Sequence, residues 1–150
     1  MMKRTIVRCL LPLSLLLGAC SGDATGASDT SIRAHRARWD GQHLSSYSFV
    51  FQQSCFCPHT EAVVVEVRGG QVTGVRDRAT GQPLVGAREP AGAWPTMDDL
   101  FDQLAATRAA GLPLEVHWNE ARGYPASAVI NNHGPADDGG AWSVADLQPL

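Results

Sequence analysis

The residues best placed to do chemistry are Cys55, Cys57 and His59, in the stretch Ser54-Cys55-Phe56-Cys57-Pro58-His59. In an extended chain the three side chains point to one side. Two thiolates and an imidazole suit Zn²⁺ or a soft ion such as Cu(I). The spacing is not that of paired Cys-x-x-Cys zinc sites. An oxidising compartment favours a disulfide instead. In a straight strand, residues i and i+2 have Cα atoms roughly 6.6–6.8 Å apart, the outer edge of what a disulfide spans. A Cys55–Cys57 bridge therefore needs a bend, which Pro58 helps to set. Closing three residues contributes only about 1.6 kcal/mol in the chain-entropy account, so such a bridge is a poor staple. Thiol exchange needs a cation or helix start beside the sulfur; His59 supplies the first, but no thioredoxin-like pattern surrounds it.

The compartment is set by the N-terminus. Lys3, Arg4 and Arg8 give a positive start, and an apolar run from Cys9 to Leu17 follows, too short for a membrane-spanning helix. Leu17-Gly18-Ala19-Cys20 closes it and looks like the lipobox of bacterial lipoproteins. The resemblance implies cleavage before Cys20 and acyl chains (palmitate among them) on that residue. Two or more chains anchor a protein stably. The organisation expected is a signal peptide over 1–19, a flexible lipid-anchored tether over 20–30 and one domain over 31–150. In a host with an outer membrane, Ser21 after the anchor favours delivery to that membrane's periplasmic face.

Without residues 1–19, nine arginines stand against 15 acidic side chains, a net charge of −6. So acidic a domain excludes nucleic acid as an expected partner and has no electrostatic grip on anionic lipid. The chain carries no Gly-rich phosphate loop, no His-Glu-x-x-His and no Gly-x-Ser-x-Gly. Asp98, Asp99 and Asp102 read as first-turn acids that complement a helix dipole. Asn131, Asn132, Asp137 and Asp138 lack the spacing of a calcium loop. His35 reads as a packing histidine and His117 as an exposed one.

The elements that position these residues follow from periodicity. Ser31–Asp40 predicts a helix capped by Thr30 or Ser31 and ended by Gly41. Tyr47, Phe49 and Phe51 alternate with Ser48, Val50 and Gln52, a half-buried strand to Gln53 with an aromatic inner face. A second strand spans Glu61 to Val67 and a third Gln71 to Asp77. Gly69-Gly70 between them predicts a two-residue hairpin in which Val67 pairs with Val72. Arg78–Ala93 shows no period and reads as a long loop. Thr96 and Asp99 form a capping-box pair before the stripe Met97, Leu100, Phe101, Leu104, Ala105, and Gly111 and Pro113 stop that helix. Strands then follow at Leu114–Trp118, Ala126–Asn131 and Trp142–Leu147. The expectation is an α+β fold: an antiparallel sheet of about six strands with two helices on one face, in the order α-β-β-β-α-β-β-β.

Ser46-Tyr47, Cys55-x-Cys57, the Val65–Val72 hairpin, Pro95-Thr96-Met97-Asp98-Asp99-Leu100-Phe101, Val116–Trp118, Gly123-Tyr124-Pro125 and Asp137-Asp138 occur in one order along the chain. In this order they resemble the bacterial lipoproteins grouped as domain of unknown function 6174. The resemblance covers about residues 31–150 and implies a fold and a location, with no established activity. Where it leads us to expect an Asp after the fifth strand, this chain has Asn131 and Asn132, which counts against an acidic metal site. Together these readings point to a lipid-anchored, non-enzymatic envelope domain with no cofactor. Its partners are then the membrane and an envelope protein or small ligand. The alternative is a metal- or thiol-handling protein acting through Cys55, Cys57 and His59.

Overall fold

The computed structural model describes residues 27–54, 60–84, 94–131 and 139–150. Helix α1 spans Asp29–Asp40 and strands β1, β2 and β3 span Tyr47–Ser54, Val63–Arg68 and Gln71–Asp77. Helix α2 spans Met97–Ala109, and β4, β5 and β6 span Leu114–Trp118, Pro125–Ile130 and Gly140–Pro149. The fold is α+β, and the element order is the one expected. One six-stranded sheet runs β3-β2-β1-β6-β5-β4, antiparallel at every pairing.

The centre of the sheet joins the chain's first strand to its last, with Tyr47 opposite Pro149 and Ser54 opposite Ala141. Tyr47, Phe49 and Phe51 lie inward across from Val67, Val65 and Val63. These side chains share one buried cluster with Ile32 and Trp39 of α1 and with Met97, Leu100, Phe101 and Leu104 of α2. The sheet's other face carries Gln52, Glu66, Arg76, Glu115, His117 and Ser143 by register. His117 is exposed there.

The hairpin forms as expected: Gly69 and Gly70 sit at φ +56° and +76° and Val67 pairs with Val72. Other expectations need correction. The α1 cap is Ser28, whose Oγ accepts from Ser31 N–H at 3.1 Å; Thr30 and Ser31 lie inside the helix. Ala27 N–H donates to Leu114 O at 3.2 Å, so the chain is fastened to β4 before α1 begins. Thr107, not Ala105, completes the buried stripe of α2. The start of the 78–93 segment is not loop-like: Pro83 bridges to Arg76, and Leu84 N–H donates to Val75 O at 2.9 Å, folding back along the β3 edge. The last strand is longer than its alternation indicated. An extra residue in β6, with Asp146 at φ +51°, puts Trp142, Val144 and Leu147 on the inner face.

Candidate functional site

At the end of β1, Phe51 and Gln53 follow the inward alternation, and Gln53 lies opposite Trp142 of β6. One turn of α2 crosses above them with Asp99, Leu100 and Gln103, and Trp94-Pro95 closes the side. Together these eight residues line an open groove of about 380 Å³ between the sheet and α2. Its floor is aromatic. Phe51 meets Trp94 edge to face with centroids 6.5 Å apart, and Trp142 at 6.5 Å and 36°. Its rim is polar: Trp142 Nε1–H donates to Gln103 Oε1 at 2.9 Å, leaving the Gln103 amide N–H groups as donors.

The helix start that holds this rim is heavily tied. Asp99 Oδ2 accepts from Thr96 N–H at 2.8 Å and from Thr96 Oγ1–H at 2.6 Å. Thr96 Oγ1 in turn accepts from Asp99 N–H at 3.2 Å. Met97 N–H, another orphan donor of a first turn, donates to the Tyr47 hydroxyl at 3.0 Å. Burial, chiefly, pushes the Tyr47 hydroxyl pKa up to about 12, with Asp98 and Asp99 adding to the rise and the Met97 bond opposing it. The Asp99 carboxylate is thus spent on the cap. Asp98 lies 3.7 Å from Arg36, which also pairs with Asp102. Among the described residues, the groove lining places no nucleophile beside a base.

Of the residues singled out from sequence, Cys20, Cys55, Cys57, His59, Asn132, Asp137 and Asp138 lie outside the described residues. Asn131 directly follows β5, its N–H donating to Pro113 O at 3.2 Å. His35 stacks on Trp118 at 4.1 Å and 9°, and its Nδ1 lies 2.9 Å from Ser31 O. Its Nε2 is 3.5 Å from Glu120 Oε2 but makes no hydrogen bond. That is a packing role, joining α1 to β4. Among the described residues no three His, Cys, Asp or Glu side chains gather as metal ligands.

A family model described as a family of unknown function (DUF6174) matches residues 31–149. The chain belongs to the DUF6174 family. No curated protein and no solved structure matches it. The matched span takes in α1 almost whole and the sheet through Pro149, so the DUF6174 unit is this fold.

Within the DUF6174 fold, the described motif residues are architectural. Tyr47 ties β1 to the start of α2, and Thr96 with Asp99 caps that helix. Gly123 sits at φ +81° in the β4–β5 turn, where a Cβ would stand 2.7 Å from His35 O and 2.8 Å from Arg38 Cβ. Tyr124 is buried against Trp39, its hydroxyl accepting from Asn119 Nδ2 at 3.1 Å. Sequence reasoning missed Gln53, Trp94, Gln103 and Trp142 as a set. Periodicity marks Gln53, Gln103 and Trp142 as lying on elements and leaves Trp94 just before α2, but their convergence requires the β1–β6 register, a pairing of residues nearly 100 apart.

Proposed function

We propose that this DUF6174 chain is a lipid-anchored domain of the bacterial cell envelope. It is held through Cys20, on the periplasmic face of the outer membrane where the host has one, and it binds an envelope protein or small ligand without catalysing a reaction. The observation that carries the binding reading is the groove. It is concave, has an aromatic floor and carries unspent amide donors at its rim, the usual make-up of a ligand site. Among the described residues its lining has no acid–base or nucleophile–base pair, which favours binding over chemistry. The lipobox Leu17-Gly18-Ala19-Cys20 supports the anchor, and an acyl anchor frees the acidic domain from any need to adhere through its own surface.

The test is isolation of the full-length lipidated chain from membranes, beside Gln103→Arg, which fills the groove from an exposed helix position. The expected result is a defined protein or small molecule that co-isolates with the wild type and is lost from Gln103→Arg, with that variant still unfolding cooperatively although Trp142 Nε1–H loses its acceptor. Equal capture by both chains, or no companion with either, refutes the groove as the site. A mature N-terminus without acyl mass on Cys20 refutes the anchor.

A further inference from the structure

The groove end of the sheet and the exit of the tether lie on the same side of the molecule. Ser54, Ala141 and Gly140, Ile130 and Leu114 are successive partners across one end of the sheet. Phe51, Gln53 and Trp142 line the groove just inside that end. Ala27, the first described residue, is bonded to Leu114 there. From β1 to β4 is three strand spacings, about 14 Å. The opposite end carries Tyr47, Val67 and the Gly69-Gly70 turn.

Chain length then limits how the domain can stand on a membrane. From Cys20 to Ala27 there are seven Cα–Cα steps, at most about 25 Å when fully extended. A compact domain of this size is roughly 35 Å across. With the groove end pointing away from the bilayer, Ala27 would be lifted by most of that width, beyond the tether's reach. With the groove end toward the bilayer or side-on, Ala27 stays within it.

We infer that the anchored domain stands with its groove end toward the bilayer or side-on to it, and never with that end distal. The groove is therefore not held out toward the far compartment. This rests on the anchor reading above and adds an orientation to it.

The test uses the full lipidated chain in vesicles of phosphatidylethanolamine and phosphatidylglycerol bearing a headgroup energy acceptor. A fluorescent amino acid replaces exposed Glu61, beside the start of β2 at the groove end, or exposed Gln71, at the distal end. Energy transfer from position 61 is expected to equal or exceed that from position 71. Inserting about 20 Gly and Ser residues between Thr25 and Gly26 raises the maximal reach to roughly 95 Å and is expected to remove any excess from position 61. Greater transfer from 71 in chains of natural tether length that carry acyl mass and float with the vesicles overturns the orientation alone. Absence of acyl mass, or failure to float, overturns the anchor reading and the orientation with it.

Discussion

Replacing Gly123 by Ala tests whether the Gly123-Tyr124-Pro125 turn is architecture. Two separate penalties meet at this glycine. Its φ of +81° is one that an L side chain rarely adopts, which costs roughly 1–2 kcal/mol. An added Cβ would also stand 2.7 Å from the backbone oxygen of His35 and 2.8 Å from Arg38 Cβ. Neither is the far end of a flexible side chain, so α1 or the β4–β5 turn has to move. Overpacking of that kind costs about 1–3 kcal/mol. The sum is roughly 2–5 kcal/mol, a large share of a small domain's stability. Gly69→Ala is the internal control: its φ is +56° but nothing lies within 4 Å of the added atom, so it carries the conformational penalty alone, about 1–2 kcal/mol. Urea unfolding of both variants, followed by tryptophan fluorescence, separates the terms. Gly123→Ala is expected to be the more destabilised by at least about 1 kcal/mol. Equal losses in the two variants would refute the close packing of α1 on the turn.

Two more predictions follow from the same reasoning. A Tyr47 hydroxyl raised from 10 to about 12 makes folding favour the neutral phenol. Its contribution, about 2–3 kcal/mol, is present in full below pH 10 and is lost as pH rises through 12. Urea midpoints should fall over that range in the wild type and more shallowly in Tyr47→Phe. That variant should also be less stable at neutral pH by about 1–3 kcal/mol, because Met97 N–H loses its acceptor; parallel pH curves would exclude Tyr47 as the group. For Cys55 and Cys57, intact mass of the exported domain purified without reductant or chelator is expected to be two hydrogens below the reduced value, with no alkylation before reduction. Two alkylated cysteines, with a metal lost on denaturation, would make Cys55, Cys57 and His59 the working site in place of the groove.

What could be read from the sequence was what local physics decides. The alternation of Tyr47, Phe49 and Phe51 defines β1 without reference to its partners, because a pleated strand sends every second side chain to one face. Gly69-Gly70 defines its hairpin because the turn needs positive φ at both residues. Thr96 and Asp99 define the start of α2 because a first turn leaves N–H groups that only nearby side chains can reach. The α1 cap was less legible. Ser28, Thr30 and Ser31 can all cap, and the choice of Ser28 goes with the fastening of Ala27 to Leu114, a contact 87 positions away. The groove was not legible for the same reason: the Trp142–Gln103 hydrogen bond joins residues 39 apart, and Gln53 meets Trp142 only through the central strand pairing.

That pairing also decides how the groove depends on the rest of the molecule. The strand order places β1 and β6 at the centre, each ending a three-stranded half of the sheet with two strands outside it. Neither half can enclose the aromatic face of β1 alone, since Phe51 packs against Trp94 on one side and Trp142 on the other. Helix α2 is held over the joint by Tyr47 at its start and by Gln103 on Trp142. The groove therefore exists only where the final strand is paired with the first. Its walls are buried side chains: Phe51 is 3% exposed, Trp94 5% and Trp142 7%. Specificity in such a site rests less on the aromatic floor, which is already committed to the core, than on the exposed amide of Gln103 at its rim. A rim substitution gives up the Trp142 hydrogen bond but leaves the core side chains in place, where a substitution in the floor would remove core packing as well.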